Sequence, residues 1–352
     1  INVKRINPLI ITFFHNIITE TIILYNQNKE IMDFIEDYLT DYNFTVKRIK
    51  KCLIACNDEK ANIGFIGHTD TVDYESWTGD PFILQEQDDK LIGLGTCDMK
   101  GGIATILSVI SKIDLNKNKV ALYFTNDEEI SFEGIKTIRE EIIPNNIIIG
   151  ESTNNIPIYG TKGVLELKIE FFGIKCHSST PNKGVNAIYE SIRFIGKIQD
   201  YYENKLKKEI VSDFEVPYTT MNIGMIKGGE SVNSVAGKCE ISLDFRIAKS
   251  EHLKSISKKI KELLKEYNSK LTIKQRIPPK INKNDIGFLE ELSSKKETKC
   301  YLTEGSYIDK NFIILGPGPD TSHQKNEYVN LSSLKETEFL YKRIIEFYNK
   351  EK

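Results

Sequence analysis

Seven residues of the 352 have types and spacings that could do chemistry. His68 and Asp70 stand two apart in "GFIGHTDTV", where a hydrophobic run stops at Gly67. Asp98 follows in "GTCDMKGG", the pair Glu128 and Glu129 in "NDEEISFEG", Glu151 after "IIIG", and His323 in "TSHQKNE". Each has a bland explanation. His68 caps a strand and bonds Asp70, Asp98 caps a helix N-terminus, "DEE" is a solvent-facing turn, Glu151 caps a turn, and His323 is a surface histidine. Together they are harder to dismiss. Two imidazoles and several carboxylates desolvate and repel badly if buried without a partner, and a divalent cation removes that objection. Nitrogen and oxygen donors without thiolate suit Zn²⁺, or Co²⁺ and Mn²⁺ less selectively. One carboxylate can bridge two such ions ~3.5–4 Å apart. In that reading His68 is a ligand and Asp70 orients its ring.

The elements that must position these residues follow from periodicity. "NKEIMDFIEDYLTDY" has helical spacing at Ile31, Phe34, Ile35 and Leu39. "FTVKRI", "NIGFIG", "KVALYFTND" and "NNIIIGE" read as strands, and "MKGGIATILSVISKI" as a helix opening just after Asp98. Gly101 and Gly102 let its backbone approach another group closely. Strands alternating with helices predict an α/β fold, a mixed sheet flanked by helices. Functional groups in such sheets gather at the carboxyl ends of strands. His68, Asp98, Glu128, Glu129 and Glu151 all fall at or just after predicted strand ends. Near residue 162 the pattern changes. "VLELKIEFFG" alternates, a helix follows at "GVNAIYESIRFIGKIQDYYENKLKK", and then come strands at "YTTMNIGMIKGG" and "GKCEISLDFRI" and a helix at "SEHLKSISKKIKELLKEY". This β-α-β-β-α run predicts an inserted α+β, ferredoxin-like domain over 162–275. Residues 1–161 and 276–352 then form the other domain.

Composition sets the class. Hydrophobic residues make up 40% and charged residues 28%, as in a globular protein. The net charge of -2 gives no footprint for nucleic acid. The six cysteines lack C-x-x-C spacing and read as free thiols in a reducing cytoplasm. Cys52-x-x-x-Cys56 imitates a zinc half-site, but no second half follows. "INVKRINPLIITFFHNIITETIIL" is interrupted by polar residues and reads as an amphipathic first helix, with no membrane span.

The motifs "GHTDTV", "GTCDMKGG", "NDEEISFEG", "GES", "HSSTPNKGVNAI" and "GPGPDTSHQKNEYV" occur in an order that resembles the di-zinc aminoacylase and carboxypeptidase superfamily of metallopeptidases. Acetylornithine deacetylase, succinyl-diaminopimelate desuccinylase and glutamate carboxypeptidase are among its members. The resemblance covers nearly the whole chain and is weakest over the first thirty residues, where "YNQNKE" stands for the family's opening loop. It implies that His68 and Glu151 bind one zinc, that Glu129 and His323 bind the other, and that Asp98 bridges both. Co²⁺ can substitute. It implies further that Asp70 holds the His68 ring, and that Glu128 is the general base toward a water bridged by the two ions. The inserted domain would be a dimerising lid. His177 in "CHSSTP" would donate to the oxyanion, in relatives from the partner subunit. Asn233 in "ESVNSV" and Arg246 in "LDFR" match positions that hold a substrate carboxylate. Ser152 stands where many relatives have proline.

The substrate implied is an N-acyl amino acid. "YLTEGS" is similar to acetylornithine deacetylases, which work in arginine biosynthesis, whereas desuccinylases more often have Thr-Ser-Asp-Gly. Glu304 would attract the distal ammonium, and Thr303 would contact the carboxylate end. A desuccinylase, an N-acyl-lysine deacylase, a dipeptidase or a carboxypeptidase would use the same metals. A non-catalytic metal-binding scaffold would be expected to have lost Glu128 or a ligand, and none is missing. The expected state is a cytoplasmic homodimer formed through the inserted domain.

Overall fold

A computed structural model describes residues 28–74, 77–282 and 297–350. The chain divides into two units: Ile1–Tyr159 with Asn282–Glu297 and Thr303–Lys352, and Gly160–Ile281 with Thr298–Leu302. The expected amphipathic first helix lies outside the described residues.

The first unit begins with helix α1 (Asn28–Asp41), which buries Ile31, Ile35 and Leu39 along one stripe. Strands β1 (Thr45–Ile49), β2 (Cys52–Cys56) and β3 (Ile63–His68) follow, then a short hairpin of β4 (Gln85–Gln87) and β5 (Lys90–Ile92). Helix α2 (Gly101–Ile110) precedes β6 (Val120–Thr125), α3 (Glu133–Ile138), β7 (Asn146–Ile149) and β8 (Ile158–Thr161).

In the second unit β9 (Gly163–Phe172) leads to helix α4 (Ala187–Asn204). Strands β10 (Thr220–Gly228) and β11 (Lys238–Ile247), helix α5 (Ser250–Leu264) and β12 (Ser269–Ile277) complete the motif. The sheet order is β10-β11-β9-β12, antiparallel throughout. Leu165, Leu167, Ile169 and Phe171 of β9 point into the core with Phe194 of α4 and Ile256 of α5. Glu166, Lys168 and Glu170 take the other face, so the period of two is a core on one side and charge on the other. The sequence reading lacked β12. A register shift between Ile273 and Gln275 breaks its alternation, and the insertion runs past residue 275 to Ile281.

Short strands β13 (Lys280–Ile281) and β14 (Glu297–Lys299) precede the return to the first unit, through β15 (Asn311–Ile314), β16 (Tyr328–Asn330) and helix α6 (Leu331–Tyr348). The main sheet runs β1-β2-β6-β3-β7-β15-β8. Its centre is parallel, with β3 between β6 and β7, and β7 beside β15. Val120, Leu122 and Phe124 of β6 join a core with Ile103, Leu107 and Tyr341 of the helices α2 and α6. Ala121 and Tyr123 join the opposite core, with Ile135 and Ile138 of α3. A strand buried on both faces must be apolar at every position, and "VALYF" is. The parallel centre brings His68, the residues after Thr125, the residues after Ile149 and those after Ile314 to one edge.

Candidate active site

The edge of the parallel sheet places the charged residues. His68 ends β3 and pairs in register with Thr125, the last residue of β6. Glu128 and Glu129 lie just beyond Thr125, and Glu151 lies two residues beyond β7. Asp98 sits in a tight turn, Thr96–Lys100, with non-helical φ -122° and ψ 93°. Helix α2 starts only at Gly101, and its N-terminal flank is Lys100 without a side-chain cap, so the N-cap reading of Asp98 does not hold. His323 adopts a positive φ of 59°, uncommon for any residue but glycine.

Asp98 faces both ways. Its Oδ1 lies 3.0 Å from His68 Nε2, and its Oδ2 lies 3.3 Å from His323 Nε2. Glu151 Oε1 is 3.3 Å from the same His68 nitrogen, and Glu129 Oε2 is 3.1 Å from that of His323. The result is two sets of donors, each an imidazole and a carboxylate, sharing one carboxylate. One group of His68, Asp98 and Glu129 and another of His68, Glu128 and Glu151 have ligand atoms within 4.8 Å of one another.

Asp70 meets the His68 ring with its backbone as well as its side chain. The Nδ1–H of His68 points at the backbone oxygen of Asp70 at 3.0 Å, whereas the carboxylate Oδ1 is 3.6 Å away. The Asp70 side chain also accepts the backbone N–H of Glu129 through Oδ2, at 3.1 Å. Its main chain therefore fixes the His68 tautomer, and its carboxylate lies between the His68 ring and the loop of Glu129.

The electrostatics test the fit of a cation. Burial, and then the Asp98 charge, push Glu151 up to about 8 and Glu129 up to about 7. Burial also holds Glu128 well above the carboxylate range, with Glu304, Glu151 and Asp98 adding to it. His323 is raised to about 9 by its hydrogen bond to Asp98. Burial alone would lower His68, but the surrounding carboxylates carry it well above the usual range. Asp98 is held low by the two histidines against the effect of burial. So many carboxylates cannot ionise together unless positive charge is supplied. Asp70 Oδ1 and Glu129 Oε1 are buried without a hydrogen-bond partner. The donor set, imidazole and carboxylate, suits a divalent ion.

Thr303 and Glu304 begin a 3-10 turn, and both are buried. Glu304 Oε1 accepts from the Thr125 hydroxyl at 3.0 Å; Glu304 Oε2 and Thr303 Oγ1 are buried without partners. In the second unit, His177 is exposed and bridges Ser234, next to Asn233. The backbone N–H of Ser179 donates to His177 Nδ1 at 3.2 Å, which leaves Nε2 to carry the proton. Arg246 lies on the polar face of β11 and donates through Nε to Asp244 at 2.9 Å. Two residues escaped the sequence reading. Lys100 and Glu327, inside "GTCDMKGG" and "QKNEYV", are both buried beside the Asp98 turn. Burial pushes Lys100 down to about 7 and Glu327 up to about 8.

A family model described as the peptidase dimerisation domain matches residues 159–272. The acetylornithine deacetylase of Shigella sonnei (strain Ss046) is 33% identical over 350 residues, covering 92% of this chain and 91% of that protein. The acetylornithine deacetylase of Pectobacterium atrosepticum is 35% identical over 320 residues, covering 83% and 82%. Among solved structures, a tripeptidase of Staphylococcus aureus superposes with a TM-score of 0.79 at 21% identity, over 97% of this chain and 99% of that one. A Bacillus subtilis protein described as a dinuclear metal binding peptidase from the M20 family superposes at 0.69 and 15% identity, over 95% and 98%.

Proposed function

The chain belongs to the M20 metallopeptidase family of acetylornithine deacetylase and its relatives and is a hydrolase of amides, and from that premise we propose that it removes the acyl group of an N-acyl amino acid, N-acetylornithine first. The carrying observation is Asp98, whose two oxygens face His68 and His323, each beside its own carboxylate. That arrangement suits two divalent ions, zinc by preference and cobalt as a substitute. His68, Glu151 and Asp98 would hold one, and Glu129, His323 and Asp98 the other.

The bound ions would supply the charge that makes a water acidic and polarises the amide carbonyl. The Glu128 carboxylate takes the proton from the attacking water and gives it to the departing amine. Asp70 keeps His68 in one tautomer and Glu129 in place. His177, protonated on Nε2, donates a hydrogen bond to the oxygen that gains charge. Arg246 and Asn233 grip the α-carboxylate, the guanidinium by a fork that matches it. Glu304 has a buried oxygen without a donor, and a substrate ammonium fills that role; Thr303 steadies the carboxylate end.

Other features support the finer reading. Curated relatives at 33–35% identity are acetylornithine deacetylases, which favours arginine biosynthesis over peptide cleavage. The dimerisation-domain match favours a homodimer. So does β10, an edge strand with Met225 and Ile226 exposed. All six cysteines are free, which suits the cytoplasm. Among the described residues no helix is long and apolar enough to cross a membrane.

The test has two arms. Chelation should abolish hydrolysis and Zn²⁺ or Co²⁺ should restore it; full activity without metal ends the two-metal reading. N-acetylornithine should be cleaved better than N-acetylnorvaline, which lacks the amine. Glu304→Gln should reduce that ratio by ~10-fold or more, the scale of a charge-assisted hydrogen bond. Equal rates on the two substrates in the wild type, or a preference for succinylated ones, overturn the ornithine assignment alone.

A further inference from the structure

The turn that carries Asp98 is held by a residue from the loop that carries His323. Glu327 follows His323 by four positions and is 2% exposed. Its carboxylate accepts the backbone N–H of Cys97 at 3.3 Å. Its own backbone oxygen accepts from Gly93 N–H at 3.3 Å and from the Thr96 hydroxyl at 3.4 Å. The buried ammonium of Lys100, from the other end of the same turn, donates to Leu94 O at 3.0 Å and faces the field of Glu327. A second tie runs the same way, because Thr321 N–H donates to Cys97 Sγ at 3.2 Å.

These contacts have one geometric consequence. In the buried turn from Gly93 to Lys100 the amides of Leu94, Thr96 and Lys100 have backbone acceptors, but that of Cys97, next to Asp98, would be an orphaned donor without the Glu327 carboxylate, and an orphaned buried donor is costly. Gly95 has a φ of +77°, and a Cβ there would stand 2.6 Å from Thr71 and 3.0 Å from the Lys100 side chain, so the turn requires glycine at this position. Asp98 is one residue beyond Cys97. The 3.3 Å between Asp98 Oδ2 and His323 Nε2 is thus set by two loops that Glu327 joins.

We infer that Glu327 is a positioning residue that fixes the bridging carboxylate Asp98 against His323, and so tunes the metal position formed by Glu129 and His323. The inference rests on the two-metal reading above. The effect falls mainly on one of two positions: His323 and Asp98 both come from the loops that Glu327 joins, whereas the other position keeps His68 and Glu151 on β3 and β7 and shares only Asp98.

Metal-free protein titrated with Co²⁺ tests it, by calorimetry and by the visible spectrum of the bound ion. Wild type should take two equivalents. Glu327→Ala should weaken one equivalent by ~10–100-fold, the usual cost of losing a group that orients ligands, and the other, which shares only Asp98 with this clasp, by a clearly smaller factor. Glu327→Gln, which keeps the shape and one acceptor, should fall between the two and covers the case in which the alanine variant does not fold. Wild-type affinity for both equivalents in Glu327→Gln, or an equal loss at both, overturns the positioning role. Failure of the wild type to bind two ions overturns the metal reading, and this inference with it.

Discussion

Glu128 and Glu129 are neighbours in sequence with opposite proposed duties, and the difference is geometric. Glu129 has its Oε2 on His323 and its backbone N–H on Asp70, so it is fixed as a donor toward the second set. Glu128 lies deeper in the charge cluster, its carboxyl lifted by burial and by Glu304, Glu151 and Asp98. A carboxyl lifted toward neutrality is a better proton acceptor than an exposed one. Glu128→Gln should therefore lower kcat by at least ~10²-fold while two ions per chain remain, measured by kinetics and metal analysis on one preparation. Loss of metal in that variant would make Glu128 a ligand, an arrangement its grouping with His68 and Glu151 allows. At this scale the sequence made the proposed donors legible: His68, Asp98, Glu129 and Glu151 as polar residues at or just after predicted strand ends, and His323 through its motif, and the structure brings all five side chains together. The sequence did not carry the contact of the Asp70 backbone oxygen with His68, because a backbone carbonyl leaves no trace in side-chain type. Lys100 and Glu327 were equally silent: a lysine and a glutamate are read as solvated until tertiary packing buries them.

Elements bring these residues into register, and two glycines show how closely. A Cβ on Gly102 would stand 2.0 Å from the backbone oxygen of Gly150, the residue before Glu151. The first turn of α2 therefore lies directly against the end of β7, and this contact sets the spacing of Asp98 and Glu151. Gly196, in the middle of α4, has nothing within 4 Å of the same probe position. Gly102→Ala should cost about 1–3 kcal/mol, as overpacking does, and should weaken Co²⁺ binding. Gly196→Ala should leave Co²⁺ binding alone and stabilise by up to about 1 kcal/mol, since alanine is the better helix former. Thermal unfolding and metal titration of both variants check the contrast; a neutral Gly102→Ala would mean that α2 is free to move. The same contact explains which elements were legible. "VALYF" and "IATILSVI" show burial in every position or along a stripe, and "VLELKIEFF" shows its alternation. The bulge in β12 hides its period, and the start of α2 was blurred because the turn at Asp98 has no propensity signature.

Across the whole molecule the charge cluster links stability to pH and metal. In the metal-free protein Glu129, Glu151 and His323 all have folded pKa values raised above their unfolded ones, to about 7, 8 and 9. A group with a raised folded pKa binds more protons when folded, so it stabilises below its unfolded pKa, and that stability is lost as pH rises through the folded value. The metal-free protein should therefore lose Tm, by at least about 5 °C, between pH 5.5 and pH 8.5. Saturating Zn²⁺ should remove most of that loss, since it favours the deprotonated ligands; a flat profile without metal would mean that the cluster is relaxed by other means. Assembly gives the last prediction. The proposed homodimer uses the second unit, which carries His177, whereas Glu128 belongs to the first. If His177 serves the partner's site, a dimer of one His177→Ala chain and one Glu128→Gln chain regains a complete site. The His177→Ala chain keeps Glu128 and receives histidine from its partner. Such verified mixed dimers should recover close to half of the wild-type kcat, although each parent homodimer is nearly inactive. If His177 serves its own chain, every site in the mixed dimer lacks one group and no activity returns. That outcome would confine the complete site to one chain and leave the dimerisation domain with an architectural role only.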